Sequence, residues 1–309
     1  MSKCLVCFGD LRSGDYHPSC ALRLFDTRVP LEVDLNLEDL PSEGLRLLEA
    51  KGGIAGVQKK LSLGRSTGQP GRLTVVGFQG RFILKPPSPE FEALPENEAL
   101  CMELGNQLGL GVAGHGLVRL KDGTLAYLSR RFDRPDDQTK WHQEDFCQLA
   151  ERPVADKYKG SLEAAGNLLR YSRQPGLDAV RFLELGLFCW LTGNADMHLK
   201  NFSLLLDPTN GWILSPAYDL VSTRLVLPED NEETALPING KKSHVHWRDW
   251  EALAANLGVE GKVAFKLAAR LASKVALVED LARRSMLPTS QQEVFVAIYR
   301  ERAARLARP

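Results

Sequence analysis

The chain lacks a net charge. Its 39 lysines and arginines balance 39 aspartates and glutamates, so no overall basic field exists to hold a phosphate backbone, and direct nucleic-acid binding is not expected. It also lacks an unbroken apolar run long enough for a membrane helix. The nearest stretch, 177–192, carries Asp178, Arg181 and Glu184, so no membrane association is expected. No internal repeat, low-complexity tract or signal peptide is evident, which points to the cytoplasm. Cysteine is sparse, and a cytoplasmic chain keeps its thiols reduced, so disulfides are not expected. Cys101, Cys147 and Cys189 sit in apolar helical contexts and read as core. The 309 residues allow one large or two modest domains.

What is present is concentrated between Leu191 and Ser203. Residues 177–192 are apolar on every face and predict a buried helix ended by Gly193. The loop 193–201 then holds nearly every polar group of the region. Residues 202–206 and 212–214 predict two short strands joined by an Asp-Pro-Thr-Asn-Gly turn, and Asp219 follows. Taken singly, Asp196 is a turn residue, His198 a loop histidine and Asn201 a cap. In this order they give phosphoryl transfer what it needs, which is positioning and charge neutralisation. Asp196 would accept a hydroxyl proton, Lys200 would neutralise a phosphoryl oxygen, and Asn201 and Asp219 would hold Mg²⁺.

Upstream, residues 51–62 form a basic, glycine-rich loop whose backbone amides could approach phosphate. It matches neither the Walker pattern nor the usual kinase glycine loop, and by itself reads equally as a surface turn. Residues 73–78 and 81–85 predict a hairpin turning at Gln79-Gly80. Lys85 ends the second strand, where a kinase places its phosphate-binding lysine. A helix over about 96–108 follows, closed by Gly109, with Glu98 as a candidate partner for Lys85. Strands near 112–120 and 124–130 lead to Arg130-Arg131-Phe132, a candidate hinge with Phe132 against adenine or simply in the core.

These segments resemble the HipA-type serine/threonine kinase toxins of bacterial toxin–antitoxin systems. The strings that carry the resemblance are IAGVQKKLS (54–62), FILKP (82–86), ENE (96–98), RRFDR (130–134), QEDFCQ (143–148), GNADMHLKNFS (193–203) and SPAYDL (215–220). The resemblance implies an α+β, two-lobe protein-kinase-like fold with a β-rich N-lobe and a mostly helical C-lobe, and Mg²⁺·ATP between them. It implies that Asp196 is the catalytic base, with Lys200 beside it, and that Asn201 and Asp219 bind the metal. Ala55, Gly56, Val57, Gln58, Lys59, Lys60, Lys85, Arg130, Arg131, Phe132, His198 and Tyr218 are the other implied nucleotide contacts. The implied target is an aminoacyl-tRNA synthetase, tryptophanyl favoured over glutamyl, whose phosphorylation would inhibit translation and growth. The implied partners are a HipB-like DNA-binding antitoxin and, because the chain looks like the short HipT-type members, a separate HipS-like small protein.

One departure concerns regulation. The family commonly carries a serine before Ile-Ala-Gly whose autophosphorylation switches the kinase off. Here that position is Gly53, and Ala55 also lacks a hydroxyl; Ser62 and Ser66 remain nearby. The alternatives within view are a small-molecule kinase with similar base-to-Asn spacing and an inactive binding module.

At the N-terminus, Cys4-x-x-Cys7 and His17-x-x-Cys20 have the spacing of zinc ligands, although the interval between the pairs is short. The segment reads either as a Zn²⁺ site or as a metal-free cap. The expected organisation is therefore 1–29 as a Cys/His segment, 30–132 as the N-lobe and 133–309 as the C-lobe. Residues 142–172 are expected to be helical, with Lys157, Tyr158 and Lys159 facing a protein substrate. Asp230, Glu232 and Glu233 are expected in a solvated loop with His244 and His246 beyond. Arg300, Arg302 and Arg305 are expected on a solvated helix face.

Overall fold

The computed structural model of the protein describes residues 2–38, 60–76 and 80–306. The chain divides into two compact units. One is Met1–Glu103 with Ala113–Lys140 and Arg284–Leu287; the other is Leu104–Val112 with Trp141–Arg283 and Pro288–Pro309.

The first unit is built on a six-stranded sheet. Its strands are β3 (Glu32–Val33), β4 (Leu61–Arg65), β5 (Arg72–Val75), β6 (Phe82–Lys85), β7 (Gly114–Arg119) and β8 (Leu125–Arg130), in the order β3-β5-β4-β6-β8-β7. Alternation sets its faces. Along β6, Phe82 and Leu84 are buried while Ile83 and Lys85 are half-buried on the opposite side. Register places Leu61 beside Leu84, Leu63 beside Phe82 and Leu84 beside Leu128, so one face is continuously apolar.

The N-terminal segment covers that face. Before the sheet come β1 (Ser2–Lys3), β2 (Asp10–Leu11) and the helix Pro18–Phe25. Cys4, Val6, Leu11, Cys20, Ala21, Leu24 and Phe25 share one buried cluster with Leu61, Leu63, Leu84 and Leu128. The segment also closes the edge strand. The Leu117 amide donates to the Leu5 carbonyl at 2.8 Å, and the Tyr16 hydroxyl donates to the Leu117 carbonyl at 2.9 Å. Residues 1–29 are thus part of the first unit's core.

The expected hairpin of 73–78 and 81–85 does not form. β5 and β6 both pair with β4, which lies between them. A Cβ on Gly80 would stand 2.4 Å from the Leu63 carbonyl oxygen, so only glycine lets the chain pass this close to β4.

In the second unit, β9 (Gln143–Asp145), β10 (Ser203–Asp207) and β11 (Gly211–Leu214) form an antiparallel sheet in the order β11-β10-β9. Residues 143–145 are therefore a strand, where a helix was expected. Pairing with β10, Ser203 beside Asp145, outweighs the short polar sequence's weak local preference.

The helix Pro175–Leu191 backs this sheet, with Phe182, Leu183, Phe188 and Trp190 fully buried. Each such side chain stabilises by about 1.5–3 kcal/mol relative to exposure. Pro175 opens the helix at its first turn. Its end is a Schellman turn. The Gly193 amide bonds to the Trp190 carbonyl and the Asn194 amide to the Cys189 carbonyl, with Gly193 at φ +79°. Asp178, wholly buried, accepts from the Leu214 amide at 2.8 Å and the Ser172 hydroxyl at 2.5 Å, locking the helix to β11.

The helices Trp247–Asn256, Gly261–Ala272, Val275–Arg284 and Thr289–Arg305 follow. Two expectations fail here. Arg302 is buried and donates to the Trp190 carbonyl, and Arg305 binds the Glu233 carboxylate at 2.6 and 2.9 Å. Glu233 also accepts from the Trp190 indole and the Val245 amide, each at 3.0 Å. Neither arginine nor Glu233 is a solvated surface group; of the three arginines only Arg300 keeps the expected exposure, as Glu232 does in the loop. Among the described residues, no helix is long and apolar enough to cross a membrane.

Candidate active site

The loop that leaves the buried helix at Gly193 is held in shape by its own polar groups. The Asn194 side chain accepts from the Asp196 amide at 2.9 Å. The Thr223 hydroxyl donates to the Gly193 carbonyl and accepts from the Ala195 amide. A Cβ on Gly193 would meet the Ser222 hydroxyl at 2.9 Å, so the turn tolerates glycine alone. The Asp196 backbone carbonyl is the hub: it accepts from the His198 amide at 2.8 Å and from the Asn201 side-chain nitrogen at 3.0 Å.

That last bond decides how Asn201 can act. With its nitrogen engaged, the Asn201 amide has its oxygen as the remaining ligand atom, a hard donor suited to Mg²⁺. Asp219 adds a carboxylate. It sits in the left-handed region at φ +59°, rare for a residue with a Cβ and typical of functional turns. Its approach is fixed by the Ala217 amide, which bonds the Gly111 carbonyl at 2.7 Å. The residues present thus fit a divalent cation held by one amide oxygen and one carboxylate.

His198 lies between the two acids electrostatically. Burial pushes its imidazole below the ordinary range, while the charges of Asp196 and Asp219 pull the other way and Lys157 adds to the lowering. The net effect is a ring kept neutral at neutral pH. It meets the Tyr158 ring edge-on, with centroids 5.0 Å apart.

Lys200 donates to Asp145 at 2.6 Å. Asp145 also caps the short helix Phe146–Leu149, so Lys200 is anchored to the strand–helix junction beside it. The Tyr218 hydroxyl donates to the Lys200 carbonyl at 2.8 Å and lies 2.5 Å from the Ser203 hydroxyl. Its phenol is pushed well above its ordinary pKa, chiefly by burial. Tyr218 therefore braces the hairpin through its hydroxyl.

Sequence reasoning missed one residue of this loop's surroundings. Tyr158, read as facing a substrate, donates its hydroxyl to Asp196 Oδ1 at 2.5 Å. Burial, then the bond to Asp196 and its charge, raise the phenol's pKa, so it remains a donor. Lys157 is buried, and its carbonyl accepts from the Leu199 amide at 3.1 Å. The segment 157–158 is laid along the loop 193–201. The only sequence hint was a tyrosine between two lysines.

In the first unit, Lys85 and Glu98 form an ion pair at 2.7 and 2.8 Å, with side chains only 12% and 3% exposed. The helix Leu94–Gln107 carries Glu98 near its start, one turn in from Leu94. The Lys85 ammonium also lies 5.5 Å from the Tyr127 ring centre on the neighbouring strand. Arg130 pairs with Asp26 at 3.2 Å, and Arg131 grips Asp133 with two bonds of 2.9 and 2.7 Å. Phe132 is half-buried. Lys60 is described and exposed, whereas Ala55, Gly56, Val57, Gln58 and Lys59, together with Gly53, lie outside the described residues.

The Cys4, Cys7, His17 and Cys20 ligand atoms lie within 4.8 Å of one another, a candidate metal cluster. Cys101, Cys147 and Cys189 are buried, as expected.

Known proteins resemble this chain in sequence and fold. Serine/threonine-protein kinase toxin HipA of Shewanella oneidensis is 28% identical over 274 residues, covering 80% of this chain and 61% of that one. Y4mE of Sinorhizobium fredii is 35% identical over 229 residues, 70% of this chain. The present chain spans about half of that relative's length, 52%. The solved structure of Shewanella oneidensis HipA with HipB and its operator DNA superposes with a TM-score of 0.69 at 25% identity. It covers 82% of this chain and 64% of that one. The fold is accordingly the α+β, HipA-like kinase fold, with one β-rich and one mostly helical unit. A family profile described as HipA-like C-terminal domain matches residues 52–278, which takes in β4 through the first turn of the helix Val275–Arg284. The loop 193–201, Asp219 and the Lys85–Glu98 pair all fall inside that span, and the chain belongs to the HipA-like C-terminal domain family.

Proposed function

We propose that this chain is an ATP-dependent serine/threonine protein kinase that acts as the toxin of a bacterial toxin–antitoxin system. The observation that carries the reading is the loop 194–201. Its backbone hub at Asp196 holds a base, while the bound Asn201 amide presents an oxygen and Asp219 a carboxylate. The Shewanella oneidensis relative, a serine/threonine-protein kinase toxin, supports the reaction class, and its complex with HipB and operator DNA supports a HipB-like antitoxin as partner.

In the reaction, Asp196 accepts the proton of a serine or threonine hydroxyl as that oxygen attacks the γ-phosphorus of ATP. The bond to the β-phosphate oxygen breaks and ADP leaves. Asn201 and Asp219 would hold Mg²⁺, which would supply charge neutralisation on the phosphates. Lys85, oriented by Glu98, is assigned to the nucleotide's phosphates, as are the loop 55–60 and Lys200. Arg130, Arg131 and Phe132 are assigned to the nucleotide's other end, and neutral His198 lines the loop between the acids. The organisation 1–29, 30–132 and 133–309 remains our reading of where these functions divide. The target we favour is a cytoplasmic aminoacyl-tRNA synthetase, tryptophanyl before glutamyl, with a HipS-like small protein as a second partner. Its phosphorylation would stop tRNA charging and arrest growth.

The test is to incubate the purified chain with Mg²⁺, γ-labelled ATP and bacterial lysate. Label in a single protein band, identified by mass spectrometry as a synthetase, supports the proposal. Label confined to a soluble metabolite would make the chain a small-molecule kinase, and no transfer at all a binding module.

A further inference from the structure

The N-terminal cluster lies in the first unit's apolar layer, and none of its four residues is among those assigned above to phosphoryl transfer. From its geometry we infer that Cys4, Cys7, His17 and Cys20 bind one Zn²⁺ in a closed, structural site that staples the N-terminal segment over the six-stranded sheet.

The distances fit the ion. Tetrahedral zinc with Zn–S of about 2.3 Å and Zn–N of about 2.05 Å sets its sulfur and nitrogen ligands about 3.6 Å apart. Cys7 Sγ and Cys20 Sγ stand 3.4 and 3.9 Å from His17 Nδ1, and all four ligand atoms lie within 4.8 Å of one another. The histidine is set for the task by its other nitrogen. Nε2 lies 3.2 Å from the Asp10 carbonyl oxygen, an acceptor only, so Nε2 carries the proton and Nδ1 turns its lone pair toward the three sulfurs.

The backbone is shaped around the cluster. The Cys4 amide bonds the Gly9 carbonyl at 2.8 Å and the Phe8 amide bonds the Cys4 carbonyl at 2.9 Å. The knuckle this makes puts Phe8 at φ +58°. A Cβ on Gly9 would crowd His17 at 3.2 Å and Cys7 Sγ at 3.4 Å. His17 occupies the N-cap position of the helix Pro18–Phe25 without a capping bond from its side chain, and Cys20 comes three residues later on the same face. Disulfide chemistry accounts for this less well. Three sulfurs leave one unpaired, and a bridge gives the histidine no role.

Four protein ligands leave no open position, which assigns the ion to structure and not to reaction. Binding takes the three cysteines as thiolates and releases their protons to solvent. The ion ties the β1–β2 knuckle to the helix, and both lie on the apolar face shared by Leu61, Leu63, Leu84 and Leu128. Lys85 belongs to the opposite face of the same strand. The staple thus supports the sheet without touching the ion pair.

The test uses the full chain, purified without chelator, and reads metal directly, so it stands apart from any phosphotransfer assay. Elemental analysis should give one zinc per chain that survives dialysis and leaves when a mercurial blocks the thiols. Replacement by Co²⁺ should produce thiolate-to-metal charge-transfer absorption and an intense tetrahedral d–d band. His17→Cys should keep the metal and shift the Co²⁺ spectrum, while Cys7→Ser and Cys20→Ser should lower bound zinc toward background. Should either serine variant fail to fold, the unaltered chain and His17→Cys still decide. Background metal content with all three thiols freely reactive in the folded protein would overturn the inference, as would a Co²⁺ spectrum without sulfur charge transfer.

Discussion

The Tyr158 hydroxyl sits on Asp196 Oδ1 at 2.5 Å, at the oxygen that would receive a substrate proton. A phenol there competes with the incoming hydroxyl and, by donating, lowers the basicity of the carboxylate. A hydrogen bond to a charged group is worth about 1.5–3 kcal/mol, and Tyr158 is 43% exposed, which places its value at the low end. Tyr158→Phe should therefore raise kcat/KM for a protein substrate, by up to about tenfold. A loss of that size in steady-state assays would instead make Tyr158 a positioning group for the base.

Asp196→Ala should lower phosphotransfer by about 10²–10⁴-fold, the usual contribution of a general base. The backbone hub at Asp196 uses its carbonyl and amide, not its carboxylate, so the fold should persist. Single-turnover kinetics and thermal melting on the same preparation check both halves. Unchanged turnover would remove Asp196 as the base.

How much of this was readable in the sequence depends on distance along the chain. The segment from Pro175 to Asp219 is local. Its helix, loop and hairpin follow one another in space as in sequence, and the structure matches the reading closely. The Lys85–Glu98 pair, thirteen residues apart across a strand–helix step, was equally legible. What failed was non-local. β4 goes unread as a strand: its first two residues fall in the glycine-rich loop 51–62, Gly64 hides its alternation, and nothing in spacing says that it separates β5 from β6. Tyr158 reaches Asp196 across 38 residues. Arg305 looked solvated because its partner, Glu233, lies 72 residues away. Arg302, Arg305 and Glu233 read as solvated because their partners are remote in sequence, and Tyr158 read as a substrate contact for the same reason.

Lys85 and Glu98 allow the structural and chemical roles of an ion pair to be separated. Removing the ammonium leaves a carboxylate with 3% exposure short of its partner, at a cost of about 3 kcal/mol or more. Lys85→Met should thus lower both stability and ATP affinity. The double variant Lys85→Met with Glu98→Gln should regain much of the stability and none of the activity. Denaturant titration and nucleotide binding measure the two; equal recovery of both would deny Lys85 any role with phosphate.

Glu233 gives the second unit an acid-sensitive joint. Burial pushes its carboxyl up, but the Trp190 indole, the Val245 amide and the Arg305 charge together outweigh this and bring it below its ordinary value of 4.5. The sign follows from linkage. A carboxyl lowered in the folded state stabilises fully above the unfolded value, because between the folded and unfolded values the folded chain binds fewer protons and stability rises with pH through that window. That contribution is lost as pH falls from about 4.5 through the folded value. Glu233→Gln should therefore destabilise the chain at neutral pH, by about 1–3 kcal/mol for bonds to a charged group at a half-buried site. The gap between variant and parent should narrow as the pH is lowered below 4.5, since the parent alone has a charge to lose. Urea unfolding midpoints at pH 7 and at successive steps into acid measure this. A gap independent of pH would mean that Glu233 acts through packing and neutral hydrogen bonds, and that the charge of Arg305 is answered elsewhere.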